Sequence, residues 1–439
     1  MQPVHFLIFC LLLCVSDIRG QKVQGTITGT DGEALAYATI YVQTLHRGTA
    51  SNEAGDYVIE LPRGTHTILF QYLGYRSEQR TISVANATIN LDVVLQVQPS
   101  ELETVEVTSN REDPAYTIMR RAIAKAGYHS QQLDGYTATS YLKGSGRIKD
   151  VPWIMRKRIL KEMESEGMDT TTAFVTESVH SIQYERPNQF TEKVLSIRQI
   201  GEDNNTSPNA FIQSSFYEKQ VNGAISPLAP QAFAYYRFEY LGFFQEDQHQ
   251  INKIRVTPRS RGDQVFEGTI YIVDDLWCIH SLDLATYLWG IRFEIKQIYK
   301  PIEPTVWLPV NHIFDVTGSF FGFDFEYQYF AQVSDYDITL NPDLTFTPEV
   351  IDDRLEPEKA GVADRSLAPD QTTEAILGEL ESGQEISRKK LRKVIKAYEK
   401  AEIEAWQTDT LQDVVEVYKQ EIDTQAYRRD TAYWHSVRP

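Results

Sequence analysis

The run from Gly25 to Tyr75 constrains this chain more than any other stretch, because its turns are spelled out at regular intervals between short alternating segments. Gly25 to Thr30 alternates and closes on an Asp31-Gly32 turn. Leu35 to Val42 alternates again, with Tyr37, Thr39 and Tyr41 on one face and Ala38, Ile40 and Val42 on the other. Gly48 to Gly55 forms a second turn-rich loop, Asp56 to Leu61 is a strand stopped by Pro62-Arg63-Gly64, and Thr67 to Tyr72 is another strand ahead of Gly74-Tyr75. Gly tolerates φ > 0 and Asp bonds its own backbone, so these residues turn the chain where they stand. Short strands at even spacing between them specify an all-β sandwich. Val93 to Gln98 ends its last strand, and the sandwich occupies residues 21–97.

This order resembles the carboxypeptidase-regulatory-like domain, a prealbumin-like sandwich. In that family a Gly-x-Ile strand, an Asp-x-x-Gly-x-x-Leu-x-x-Ala-x-Ile-x-Val hairpin, a Gly-Thr-x-x-(Asp/Asn)-x-x-Gly-x-(Tyr/Phe) loop and a Leu-Pro-x-Gly stop follow one another. The resemblance spans residues 22–97 and implies a non-catalytic adaptor domain carried by other proteins.

The chain has 439 residues, room for about three domains. An aromatic fraction of 11%, with 24 Tyr and 20 Phe, leans toward β-structure. A net charge of −18 argues against nucleic acid or anionic headgroups as partners, since both require a cationic face. Phe6 to Val15 is an apolar run of signal-peptide length, too short to span a bilayer, and predicts removal of residues 1–20. Cys14 leaves a lipoprotein route open, although Leu13 is large where such a site wants a small residue. With Cys10 and Cys14 in the leader, the mature chain keeps only Cys278 and forms no internal disulfide, which suits a bacterial envelope better than a eukaryotic secretory route.

Residues 98–112 read as an extended linker. Within it, Glu103-Thr104-Val105-Glu106-Val107 resembles the short box by which TonB-dependent receptors contact TonB; an alternating connector strand is the plainer reading. Asp113 and Pro114 open a helix as N-cap and N1, Ala115, Ile118, Met119, Ala122, Ile123 and Ala126 follow at helical spacing, and Gly127 stops it. From Tyr136 to Tyr336 the period becomes two. Phe266, Gly268, Ile270 and Ile272 alternate up to an Asp274-Asp275 turn, Trp277 and Ile279 return, and Ile291, Phe293 and Ile295 repeat the pattern. Phe321, Phe323, Phe325, Tyr327 and Tyr329 put an aromatic row on one face against Gly322, Asp324, Glu326 and Gln328 on the other, the mark of an antiparallel sheet covered on one side. Lys157 to Glu164 is a charged helical insert. Residues 113–340 therefore form a larger antiparallel β-rich domain with a packed helix. Residues 341–439 form an acidic loop and a short helical region, with a stripe of Leu391, Val394, Ile395 and Tyr398 and a further helix over Leu411 to Tyr418.

A zinc carboxypeptidase site needs His-x-x-Glu and a distant His, and none of the nine histidines has that spacing. His280 with Asp283 and His312 with Asp315 come nearest, but residues three apart on a strand face opposite ways unless a bulge intervenes. Nucleophile-elbow, Walker and dinucleotide-binding glycine patterns are also missing. Asp274-Asp275 and Arg261-Gly262-Asp263 read as turns, and Cys278 as a half-buried strand residue. The sequence thus offers no catalytic residues, metal ligands or cofactor site.

From Asp113-Pro114-Ala115-Tyr116-x-Ile118 onward, Tyr136, Tyr141, Glu177-Ser178, Ile254-x-Val256-x-Pro258, Phe266-Glu267-Gly268-x-Ile270-Tyr271-Ile272 with Trp277, and Trp307-Leu308-Pro309 fall in one order. That order resembles a Gram-negative envelope family of unknown function, in which a carboxypeptidase-regulatory-like domain precedes a long β-rich region. Members continue into an outer-membrane β-barrel, and Ser436-Val437-Arg438-Pro439 looks like the start of the segment leading there. The resemblance implies a non-enzymatic envelope adaptor whose partners are another envelope protein and, through that continuation, the outer membrane. The amino-terminal part of a TonB-dependent receptor is the alternative. A sheet whose aromatic face accepts a lipid acyl chain or a partner strand is a third reading; the plainer one covers the row with the Ala115 to Ala126 helix.

Overall fold

A computed structural model describes residues 21–45, 47–85, 87–99, 112–150, 174–187, 189–200, 215–260, 262, 264–288, 291–320, 323–344, 417–430 and 433–434. The leader, the linker box, the charged insert, the Leu391 stripe and the last four residues lie outside them.

The amino-terminal sandwich has eight strands: β1 (Gln21–Gly29), β2 (Thr39–Val42), β3 (Arg47–Ala50), β4 (Asp56–Leu61), β5 (Gly64–Gln71), β6 (Glu78–Val84), β7 (Ile89–Asn90) and β8 (Val93–Leu95). One sheet runs β4-β1-β7 with β8 also on β1, and the other runs β3-β2-β5-β6. Their inner faces close on Val23, Ile27, Ile40, Val42, Tyr57, Leu61, Ile68 and Phe70. Two details depart from expectation. Leu35 to Ala38 is turn rather than strand, with Tyr37 at φ +62, and Arg47–Ala50 inside the expected loop pairs with β2. The outer face of β2 is buried as well, so Thr39 and Tyr41 are as enclosed as Ile40 and Val42.

What encloses them is a second, larger sheet. Helix α1 (Pro114–Ser130) leads to β9 (Leu133–Asp150), β10 (Phe174–Glu185) and β11 (Gln189–Ile200), then to the short hairpin β12 (Gln220–Val221) and β13 (Ala224–Ile225). The meander β14 (Tyr236–Glu246), β15 (His249–Pro258), β16 (Phe266–Val273), β17 (Ile279–Leu288), β18 (Ile291–Glu303), β19 (Val306–Phe320) and β20 (Phe323–Leu340) follows, and β21 (Val417–Ile422) comes last. These make an 11-stranded sheet in the order β14-β15-β16-β17-β18-β19-β20-β9-β10-β11-β21. Register breaks at Tyr240/Phe243, Tyr271/Ile272, Val179/His180 and Ile298/Tyr299 bend the strands as bulges do.

One face of this sheet packs under α1. Asp113 caps the helix by accepting from the Ala115 N–H (2.8 Å), and the same carboxylate accepts from the Tyr240 N–H (3.1 Å) at the β14 bulge. Ala115, Met119, Ala122, Ile123 and Ala126 bury themselves against Phe233, Phe238, Ile254, Ile270, Leu282 and Phe314. The helix runs three residues past Gly127. His129 reaches the Leu276 carbonyl (3.1 Å) and Arg121 lies 4.8 Å over the Trp277 ring, so contacts to the β16–β17 turn outweigh the glycine. Trp277 itself belongs to that turn, at φ +56. The aromatic row is only partly covered. Tyr329 is buried within this core, Tyr327 packs on its margin and Phe325 is half-buried; Phe321 and the Phe323 side chain lie outside the described residues.

The opposite face is not solvated throughout, as its polar pattern suggested: Arg147, Thr317 and Ser319 are exposed, but around Asn311 and Phe330 it lies under the sandwich. Asn311 Nδ2 donates to the Tyr37 carbonyl (3.1 Å) and to Thr39 Oγ1 (2.8 Å), Tyr37 stacks on Phe330 at 5.0 Å, and Tyr41 joins a buried group with Ile298, Val310 and Val333. At the carboxyl end, Val417 and Tyr418 open β21 rather than finishing a helix. The strand lies parallel to β11, whose edge is otherwise unpaired among the described residues. Beyond it, Trp434 is buried with Tyr37 and Ala50 of the sandwich and Tyr141, Val179 and Phe330 of the sheet.

Two glycines test this packing in opposite directions. Gly268 has φ +143, and a Cβ there would meet the Asp283 carbonyl oxygen at 2.1 Å, so Gly268→Ala should cost about 3 kcal/mol of unfolding free energy in urea titrations. Gly127 is exposed on α1 with nothing within 4 Å, and Gly127→Ala should raise stability by up to about 1 kcal/mol.

Candidate functional site

The joint between sandwich and sheet holds most of the chemistry that the described residues bring together. At one end is a buried ionic group. Glu246, at the end of β14, accepts from Lys300 Nζ (2.8 Å) and from Ser77 Oγ of the sandwich (3.0 Å), and lies 3.2 Å from His280 Nε2. Gln71, also from the sandwich, sits 3.4 Å from the same histidine nitrogen, whose partner Nδ1 meets Ser281 Oγ at 3.0 Å. The Lys300 and His280 side chains are each 3% exposed. Burial pushes Glu246 up, but Lys300 and His280 outweigh it and hold the carboxyl below the usual carboxylate range. Four strands and two modules thus meet on one carboxylate. The carboxylate itself is satisfied and closed in, although Gln71 Oε1 beside it has no partner among the described residues, and it acts as a structural node.

Further along the same joint lies a cavity of about 490 Å³. The sandwich contributes Tyr37, Tyr72 and Glu53; the sheet contributes Tyr271, Asp283, Lys296, Asp315, Glu326 and Gln328. Register explains the gathering: Asp283 pairs with Lys296, and Asp315 with Gln328, so these alternate residues share one face of β17 to β20. Gln328 Nε2 donates to Asp315 (2.8 Å), and Lys296 Nζ stands 3.2 Å from Glu294 and 4.0 Å from Asp315. Burial raises both aspartates, with Lys296 opposing and Glu294 reinforcing.

A third arrangement lies between β10 and β11. His180 Nε2 is 2.6 Å from Ser178 Oγ, and its Nδ1 meets Glu192 as a charge contact without the alignment of a hydrogen bond. The order serine, histidine, carboxylate is that of an activated nucleophile. Acyl transfer also needs free N–H donors for the oxyanion. Here Ser178 pairs with Leu142 on one side and Ile197 on the other, next to the Val179/His180 register break, and all three side chains are buried. The arrangement is a closed polar network of the sheet.

The residues singled out in the sequence separate accordingly. His280 and Asp283 do lie on a bulged stretch, yet His280 turns to Glu246 while Asp283 lines the cavity. His312 bonds Gln297 at 3.1 Å in the core, where burial lowers it to about 3, and Asp315 lies on the other face. Asp274 accepts from Asn252 Nδ2 (3.2 Å) and Asp275 turns at φ +63. Cys278 is fully buried just before β17 rather than half-buried within it, and burial pushes its thiol up. Of Arg261-Gly262-Asp263 only the glycine is described. Among the described residues, no three His, Cys, Asp or Glu side chains are grouped to hold a metal ion. Sequence reading missed Glu246, Lys300, His180 and Glu192. No local signal marked them, since Lys300 stands in a mixed Lys296-Gln297-Ile298-Tyr299-Lys300-Pro301 run.

Comparison with known proteins agrees with the order of motifs. A CarboxypepD_reg-like domain matches residues 23–108, and a family of unknown function (DUF5686) matches residues 118–336. The TonB-dependent receptor P3 of Formosa agariphila is 32% identical over 108 residues, 24% of this chain and 10% of the receptor, so the chain spans about a tenth of the curated relative it matches. Among solved structures, a LolA superfamily protein from Nitrosomonas europaea is 10% identical, covers 52% of this chain and 97% of its own, and has a TM-score of 0.22. A DUF1329 family protein from Desulfovibrio piger is 8% identical, covers 53% and 96%, and has a TM-score of 0.23.

The Glu246 node makes a pH-dependent prediction. A carboxyl depressed in the folded state stabilises above its unfolded pKa of about 4.3, and that contribution is lost as pH falls through and below it. Melting temperature should therefore fall below about pH 4 more steeply in the natural protein than in Glu246→Gln. At neutral pH Glu246→Ala, which strands two buried basic groups, should cost about 3–5 kcal/mol.

Proposed function

We propose that this protein, a CarboxypepD_reg-like domain joined to a domain of the DUF5686 family, is a non-enzymatic interaction module of the bacterial cell envelope in which sandwich and sheet act as one adaptor body. The observation carrying this reading is the joint itself. Asn311, Glu246 and Phe330 tie the two modules through buried polar and aromatic contacts, so displacement of the sandwich is passed to the sheet. The TonB-dependent receptor relative supports placement in the envelope. It also favours a second reading, that the chain is the amino-terminal part of such a receptor. Against that, α1 and the 11-stranded sheet follow the sandwich, and this region matches a different family.

In cell fractionation the protein should travel with the envelope and lack residues 1–20 on amino-terminal sequencing. A photo-crosslinking side chain at Val94, which is 56% exposed on the sandwich, should yield a discrete adduct with an envelope protein. Recovery of intact protein from the cytoplasm would defeat the proposal.

A further inference from the structure

The carboxyl-terminal strap is held to the rest of the molecule unevenly. β21 follows β20 only after residues 341–416 and lies parallel to β11, so no hairpin turn ties it to its neighbour. Its pairing runs from Gln189↔Val417 to Val194↔Ile422, and the Asp423 N–H extends it by donating to the Val194 carbonyl (2.9 Å). Yet Lys419, Gln420, Glu421 and Ile422 are all exposed, so successive residues on both faces of the strand stay in contact with water. The ion pair between Lys193 and Asp423 (3.6 Å) lies at the surface, where solvent leaves it little strength.

The firmer contacts lie beyond the strand. Arg429 Nε donates to the carbonyl of Leu195 (3.2 Å), the residue that β11 leaves out of its pairing with β10 at the Val179/His180 break. Ala426 is fully buried. Trp434, 4% exposed, enters the joint among Tyr37 and Ala50 of the sandwich and Tyr141, Val179 and Phe330 of the sheet. A segment fixed by an edge ladder, a few surface groups and an aromatic anchor belongs to the low-stability end of a fold. It opens before the strands that are buried within the sheet. Opening frees two things at once: the donors and acceptors of the β11 edge, and the seat that Trp434 fills against the sandwich. An edge that already takes one strand in parallel alignment accepts another of the same kind, and a buried indole is a frequent centre of such a contact.

We propose that residues 417–434 form a latch that opens as a unit. The uncovered β11 edge and Trp434 seat then bind an extended strand of a partner polypeptide with an aromatic side chain where Trp434 stands. In its closed position the latch occupies that site itself, so partner binding and closure of the joint from this side exclude one another. The proposal does not rest on the envelope adaptor reading, since its test uses only this chain and its own strap sequence.

The probe is a fluorescent peptide of residues 417–434, titrated by anisotropy into the full chain. It should bind at least tenfold more tightly to Trp434→Ala and to Asp423→Ala than to the natural protein, because each substitution weakens the latch in place. The Asp423 carboxylate accepts the Gln425 N–H (2.8 Å) and meets Lys193 outside the joint, so its removal leaves the core around Trp434 intact. A peptide carrying Trp434→Ala should lose at least tenfold on every chain. The exposed Glu239→Gln on β14, the opposite edge of the sheet, should leave affinity unchanged. In hydrogen exchange of the natural protein, the Asp423 and Trp434 amides, held by the Val194 and Asp430 carbonyls, should open together and ahead of β10. A dimer that forms with rising concentration and that excess peptide disperses would identify the partner as a second copy; a monomer that binds the peptide would assign it to another polypeptide. No binding to any chain, equal affinity for natural and weakened chains, a peptide indifferent to its tryptophan, or strap amides as slow as those of β10 would overturn it.

Discussion

A carboxylate buried between two layers of protein must be supplied with positive partners from those layers, and Glu246 is supplied from three directions. Lys300 and His280 come from the middle of the large sheet, and Ser77 from the sandwich. Without them the carboxylate would carry the full cost of desolvation; with them it holds the end of β14 against β17, β18 and a separate module. Such a node contributes little net energy compared with an apolar contact of the same size. What it contributes is register, because a sandwich rotated or slid by one residue would leave three charged or polar groups unpaired in the interior.

The second consequence concerns the face on which the node sits. An antiparallel sheet with one polar face ordinarily turns that face to water. Here part of the polar face is roofed by the sandwich, and the residues that alternate with the apolar core there become the floor of the interdomain cavity. The sandwich has an outer face suited to this position, since Tyr37, Thr39 and Tyr41 fill the space that water would otherwise occupy. Trp434 then closes the same junction from the carboxyl-terminal side, so three separated segments of the chain share one contact group.

Much of this was legible. Asp113 and Pro114 specified the start of α1, the alternating runs specified β16, β18 and β20, and Asp274-Asp275 specified the hairpin between β16 and β17, because each depends on neighbours a few residues away. The position of the helix stop was not legible. Gly127 is a local signal, while His129 and Arg121 respond to a turn about 150 residues distant. The double burial of β2 was likewise hidden, because a tyrosine on the outer face of a strand reads the same whether it meets solvent or another domain. Gly144 and Gly318 were silent for a related reason: they make room for the rings of Tyr329 and Phe325 across the strands, and only register shows which ring lies over which glycine.

The candidate site was the least legible part, and the reason is its construction. Catalytic and metal motifs are recognisable when neighbouring residues on one element supply several groups at fixed spacing. The cavity instead takes Tyr37 and Tyr72 from the segments flanking two strands of a small sandwich and one to three alternating residues from each of β16, β17, β18, β19 and β20. Each of these residues, taken alone on its strand, is an ordinary polar position of a half-buried sheet. Their convergence exists only after eleven strands are in register and the sandwich is set down at the angle that Glu246 and Asn311 dictate. A site built this way can change its lining by exchanging one residue on one strand while the node that positions it stays the same, which separates the part of the sequence that specifies the joint from the part that lines it.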